Sequence, residues 1–198
     1  MGLLLLASPT LGQAAPETPT ALVEAFHSDL LNIMKSAKSL GVSGRYNKFL
    51  GLIDEYFDLP LMVRFVTAKQ WATADSQARH AVTAAARRMS AAELAVLFDD
   101  YGGEVFKTTG TRDIKDGTVL VQTVLKREGE DDVKVSYRAL KIGGNWRIID
   151  VMLDGDISQL VKRRGEYART LADKGIAGLT KLLNDKAAEI TAPQQAKK

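Results

Sequence analysis

A chain of 198 residues, 45% hydrophobic and 26% charged, is sized and composed for one packed domain, which excludes a disordered or fibrous polymer. Lys and Arg exceed Asp and Glu by 27 − 24 = +3, which excludes a case for nucleic acid and leaves weak attraction to anionic lipid. Cysteine is absent, so disulfides and thiolate metal sites are excluded as well.

In chain order, residues 3–7 form an apolar run, Ser8-Pro9 breaks it, and Ala14 and Ala15 follow in small-x-small contexts. This is the second half of a secretory signal, without its basic n-region. Residues 1–15 are therefore expected to be a signal-peptide remnant and the mature chain to begin near Ala15 or Pro16. The run is far shorter than the roughly 20 apolar residues a transmembrane helix needs.

From residue 20 to about 101 the period is helical. Leu22, Phe26, Leu30, Ile33 and Met34 make the apolar face of a first helix, expected to end at Gly41 and Gly44. A second carries Phe49, Leu52, Ile53, Tyr56 and Phe57 on one side. Asp58-Leu59-Pro60 opens a short third helix, with proline suited to the first turn. Residues 73–75 begin a fourth, rich in Ala and Arg and ending near Met89. Ser90-Ala91-Ala92-Glu93 has the form of a capping box and predicts a separate helix over 91–101, closed by Gly102-Gly103.

Residues 104–113, 118–128, 132–142 and 145–153 read as strands, separated by Lys115-Asp116-Gly117, Gly129-Glu130-Asp131 and Gly143-Gly144. Such short Gly/Asp separators are hairpin turns. Residues 157–188 return to helix, with a break at Gly175, and 191–198 are a polar tail. The order predicts an α+β fold: a curved four-stranded antiparallel meander packed against N- and C-terminal helices, one domain over residues 16–190.

Chemistry-bearing patterns are few. His27 and His80 stand alone and read as helix-surface residues, so neither a metal nor another cofactor is expected. Asp54-Glu55 and Asp99-Asp100 point in different directions along helices, and Glu130-Asp131-Asp132 is a hairpin tip. Asp154-Gly155-Asp156 lacks the carboxylate ladder of a calcium loop and reads as a turn, with Asp156 or Ser158 capping the next helix. No phosphate loop or G-x-S-x-G appears. The expectation is a protein that is not an enzyme.

What remains is a surplus of apolar surface. Val119, Val121 and Leu125 oppose Leu120 and Val124; Val133, Val135 and Tyr137 oppose Leu140 and Ile142; Ile148 and Met152 oppose Ile149, Val151 and Leu153. A meander with one wet face alternates more strictly. Two readings stand side by side: a sheet sandwiched between helices, or a sheet with one face forming a cavity wall.

The block Gly144-Asn145-Trp146-Arg147-Ile148-Ile149-Asp150-Val151, the Asp154-Gly155 turn, Ser158, Arg163-Arg164-Gly165-Glu166-Tyr167, Gly175-Ile176-Ala177-Gly178-Leu179 and Leu182-Leu183 resembles the MlaC family of periplasmic phospholipid-binding (toluene-tolerance) proteins. Gln70-Trp71-Ala72-Thr73-Ala74, Gln77 and Tyr101 fit it too, while Lys69-Gln70 departs from the glycine expected before the tryptophan. Asp58-Leu59-Pro60, Gly103-Glu104-Val105-Phe106 and Asp154-Gly155-Asp156-Ile157-Ser158 are similar to the hopanoid-associated HpnM branch.

The resemblance implies a soluble periplasmic carrier that holds the acyl chains of a phospholipid, or a hopanoid, in an apolar cavity between sheet and helices. It implies shuttling between an outer-membrane lipoprotein complex and an inner-membrane ABC transporter with its substrate-binding subunit, with transient membrane-surface contact. The implied lining is Phe49, Ile53, Phe57, Leu61 and Phe65 from the helices, with Val121, Val135, Tyr137, Ile149, Val151, Leu160, Val161 and Tyr167 from the sheet and last helix. Arg147, Arg163 and Arg164 would meet a headgroup or a partner, and Trp71 and Trp146 would anchor the core. Two other classes fit the element pattern: an NTF2-like small-molecule enzyme, with Asp150 or Tyr137 as its buried ionisable group, and a chaperone-type binding module for apolar segments.

Overall fold

A computed structural model describes residues 16–154 and 157–192; residues 1–15, where a signal remnant is expected, the Gly155-Asp156 part of the expected turn and residues 193–198 lie outside them. Local capping chemistry sets several helix starts. Thr18 accepts from the Ala21 amide at 3.1 Å and Pro19 fills the first helical position, opening α1 (Pro19–Lys35). Asp58 accepts from Leu61 at 2.8 Å to open α3 (Leu59–Thr67), and Asp75 from Ala78 at 2.7 Å to open α5 (Ser76–Leu97). Between them lie α2 (Ala37–Tyr56) and the short α4 (Lys69–Thr73).

Two expected boundaries are corrected. The first helix stops at Ser36, whose amide turns back to the Ile33 and Met34 carbonyls, and Gly41 becomes a bend inside α2. Ser90 starts nothing: α5 runs through it, because Ala91, Ala92 and Ala95 are fully buried and a break there would strand their amides away from water. Buried Arg45 ties this region together, donating to the Ala95 carbonyl at 2.7 Å and the Ala37 carbonyl at 2.8 Å.

The sheet is antiparallel and has five strands in sequence order, β1 (Val105–Asp113), β2 (Val119–Lys126), β3 (Val133–Ile142), β4 (Asn145–Leu153) and β5 (Ile157–Ser158). The fifth was not expected. It pairs with Met152 and Leu153 and covers one half of the β4 edge; Phe57 bridges Ile148 over the other half, with the Asp58 amide donating to the Ile148 carbonyl at 3.0 Å. Ser158 then caps α6 (Gln159–Thr191), accepting from Val161 at 3.1 Å.

Gly41 (φ 60°, ψ −178°) and Gly175 (φ 61°, ψ −163°) bend α2 and α6 through the same backbone region, one essentially restricted to glycine. Gly175→Ala is therefore expected to destabilise the fold by about 1–3 kcal/mol in urea denaturation. Gly165→Ala, on the regular helix with open space around it, is expected to be neutral or slightly stabilising.

Apolar side chains gather into two bodies. One joins α1, α2 and the inner face of the sheet through Leu22, Phe26, Leu30, Phe49, Ile53, Val121, Tyr137 and Ile148. The other joins α3, α5 and α6 through Val63, Val82, Met89, Tyr167, Leu171 and Leu179. Tyr46 and Leu59 pack against both and mark the seam between them.

Candidate apolar binding site

The last long strand carried apolar residues at consecutive positions, and a bulge explains it. Tyr137 pairs with Val151 and Arg138 with Asp150, but Ala139 pairs with Ile148, so Ile149 is left without a partner. The extra residue restarts the alternation. Ile148 and Val151 both face the helices and belong to or pack on the first cluster, while Asp150 and Met152 face the other way. The sequence pattern groups Ile148 with Met152 and Ile149 with Val151; the bulge puts Ile148 and Met152 on opposite faces.

The residues expected to line a cavity separate into three groups. Phe49, Ile53, Val121, Val135 and Tyr137 are buried in the first cluster, with Phe57 and Val151 half-buried against it. Tyr167 is buried in the second, with Leu160 packed against it. Leu61 and Ile149 are half-buried outside both, and Phe65 and Val161 stand in solvent at 42% and 59% exposure. Trp71 and Trp146 are half-buried flanks of the two clusters; the Trp146 indole donates to the Glu17 carbonyl at 3.1 Å.

The seam runs where α3 packs on β4, α5 and α6. Phe57 and Val151 flank the first cluster, Leu160 flanks the second and Leu59 flanks both, all of them apolar and only half-buried. Two open clefts among the described residues lie elsewhere. One of about 500 Å³ sits between the start of α1 and the β1–β2 hairpin, lined by Thr18, Thr111, Asp113 and Trp146. Another of about 680 Å³ lies among Arg127, Glu130, Asp131 and Asp132.

The three arginines expected to meet a headgroup are placed differently from one another. Arg163 is engaged inside the protein, with Glu93 of α5 at 2.5 Å, Glu166 at 3.3 Å and the Tyr167 hydroxyl at 3.2 Å. Arg147 donates to the Glu55 carbonyl. Arg164 is exposed, its guanidinium 5.5 Å above the Phe65 ring.

Polar groups do enter the first cluster. His27 is buried, not on the helix surface as expected, because α1 turns this position toward the sheet. Its Nε2 lies 2.9 Å from the Tyr137 hydroxyl and its ring stacks on Phe106 at 3.8 Å. Burial pushes the His27 pKa down to about 3 and pushes the Tyr137 hydroxyl up, so both are neutral near pH 7. The helical spacing of His27 from Val23 and Leu30, both on the apolar side of α1, was the available signal. Asp150, also buried, lies on the opposite face and accepts from Ser158 Oγ at 2.6 Å and the Leu160 amide at 3.3 Å. Tyr137 and Asp150 therefore do not converge on one pocket. Among the described residues no group of His, Asp and Glu is placed to hold a metal ion, and no helix is long and apolar enough to cross a membrane.

The family model described as MlaC protein matches residues 24–185, which run from within α1 through the sheet into most of α6. No curated protein matches the chain. Among solved structures it is similar to the phospholipid-binding protein from Ralstonia solanacearum in complex with a phospholipid, at 18% identity and a TM-score of 0.74 over 89% of this chain and 99% of that one. At that identity the likeness shows a shared fold.

Proposed function

Because the chain belongs to the MlaC family, we propose that it is a periplasmic lipid carrier that works by binding rather than catalysis. The acyl chains of a phospholipid, or the ring system of a hopanoid, lie in the seam between the two apolar clusters. The observation that carries this reading is the division of the core: two apolar clusters share only the half-buried Tyr46 and Leu59, with Phe57 and Val151 half-buried on the first and Leu160 on the second. A ligand there gains Phe57, Leu61, Val151 and Leu160 first, and then the deeper walls of Phe49, Ile53, Val121, Val135, Tyr137 and Tyr167 as the clusters part. The similar fold of a protein solved with a phospholipid supports the same cargo class.

The energetics favour such a device. Each methylene removed from water is worth about 0.8 kcal/mol, so a two-chain lipid leaves a membrane slowly unless an apolar wall receives it. In this reading the carrier moves its cargo between an outer-membrane lipoprotein complex and an inner-membrane ABC transporter. Native mass spectrometry with lipid extraction, on protein purified from its own source, tests it. A co-purifying phospholipid or hopanoid is expected. Lipid-free protein that also takes up none from vesicles would overturn the carrier reading.

A further inference from the structure

Where α3 meets the start of α6, three large apolar side chains stand in solvent: Phe65 at 42%, Ile157 at 54% and Val161 at 59% exposure. They are neighbours. Arg164, one turn beyond Val161, lies over the Phe65 ring, and Ile157 immediately precedes the capping residue Ser158. Cations flank them: Arg64, Lys162 and Arg164 are exposed, and none forms an ion pair among the described residues. Among the described residues Glu166 shares Arg163 with Glu93, and Asp154 stands at the far edge beyond Leu153, while Asp156, next to Ile157 in the sequence, lies outside them. The packing of the fold explains neither the exposed apolar groups nor the unmatched charges.

We propose that this face docks the protein on an anionic bilayer surface, with Phe65, Ile157 and Val161 entering the headgroup region and Arg64, Lys162 and Arg164 meeting lipid phosphates. Exposed apolar side chains, extended by Leu153 beside Ile157 and flanked by long cations, suit a bilayer, where the acyl boundary lies just beneath the phosphates. Arg164 already shows the needed posture, its charge held at the level of an aromatic ring. The three exposed cations without ion-pair partners among the described residues favour lipid phosphates as the surface met. Docking goes beyond cargo binding, and the two are read by separate measurements.

The test is cosedimentation of the full chain with mixed phosphatidylethanolamine–phosphatidylglycerol vesicles and with pure phosphatidylcholine vesicles. Attachment is expected to the anionic vesicles only, weakening with added salt. Lys162→Glu and Arg64→Glu are each expected to lower it by about tenfold or more. Ile157→Ser is expected to lower it with the salt dependence retained. All three positions are exposed, so the variants keep the wild-type Tm and the wild-type cargo content by mass spectrometry. Equal attachment to both vesicle types, no attachment, or variants that attach like the wild type would each overturn docking while leaving the cargo result standing. A concentration-dependent dimer abolished by Ile157→Ser would assign the face to a second copy and overturn it too.

Discussion

Lowering the pH from about 6.5 to about 4.5 is expected to destabilise the fold by about 2–3 kcal/mol through His27 alone. The imidazole is buried against Phe106 and Tyr137, and burial holds its pKa near 3, against 6.5 in an unfolded chain. A group with a depressed folded pKa binds its proton preferentially when unfolded. Each pH unit below 6.5 therefore favours the unfolded state by about 1.4 kcal/mol, until the folded pKa is passed. Above 6.5 the histidine is neutral in both states and contributes no slope. Most carboxylates titrate below this window, so the effect is separable.

Urea denaturation of wild type and His27→Gln at a series of pH values measures it. The wild-type free energy of unfolding is expected to fall across the window, and the variant's to stay nearly flat. Parallel profiles would show that His27 is not held neutral. The variant is also expected to be less stable at pH 7, because glutamine forfeits the stacking on Phe106 and must still satisfy its amide in the core. The two effects separate cleanly: one is an offset at neutral pH, the other a difference in slope.

Features set by nearest neighbours were legible in the sequence. Asp58 and Asp75 cap helices because a short oxygen-bearing side chain reaches the amide three residues on, a relation that needs no tertiary partner. The meander and its turns follow for the same reason, as does the break at Gly175. Features decided across the fold were not legible. The Ser90 capping pattern is locally sound but loses to the burial of Ala91, Ala92 and Ala95. The bulge at Ile149 is visible only when β3 supplies the register. The division of the apolar residues into two clusters could not be read, because Phe49 and Tyr167 look equally core-like from the chain, nor could the exposure of Phe65 and Val161. Arg163 shows the same limit, since its partner Glu93 lies 70 positions away.

Asp150→Ala is expected to cost about 2–4 kcal/mol, and Asp150→Asn about 1 kcal/mol. The carboxylate anchors the beginning of α6 to β4: it accepts from Ser158 Oγ, which in turn accepts from the Val161 amide, and it takes the Leu160 amide directly. Alanine would leave the Ser158 hydroxyl and the Leu160 amide without acceptors in a buried setting, whereas asparagine keeps one carbonyl oxygen for them. Negative charge at a helix N-terminus adds to the stabilisation and is lost in both variants. The consequence reaches the seam, because Leu160 and Tyr167 are carried on the first half of α6, ahead of the bend at Gly175. A loosened start of α6 is expected to shorten lipid retention, in the order wild type, Asn, Ala. The same pair of variants tests the enzyme alternative. A catalytic acid or base at this position would make Asn as damaging as Ala for turnover, with little change in stability. An anchoring role predicts that lipid loss tracks the unfolding free energy across the three proteins, measured side by side by vesicle-exchange kinetics and urea denaturation.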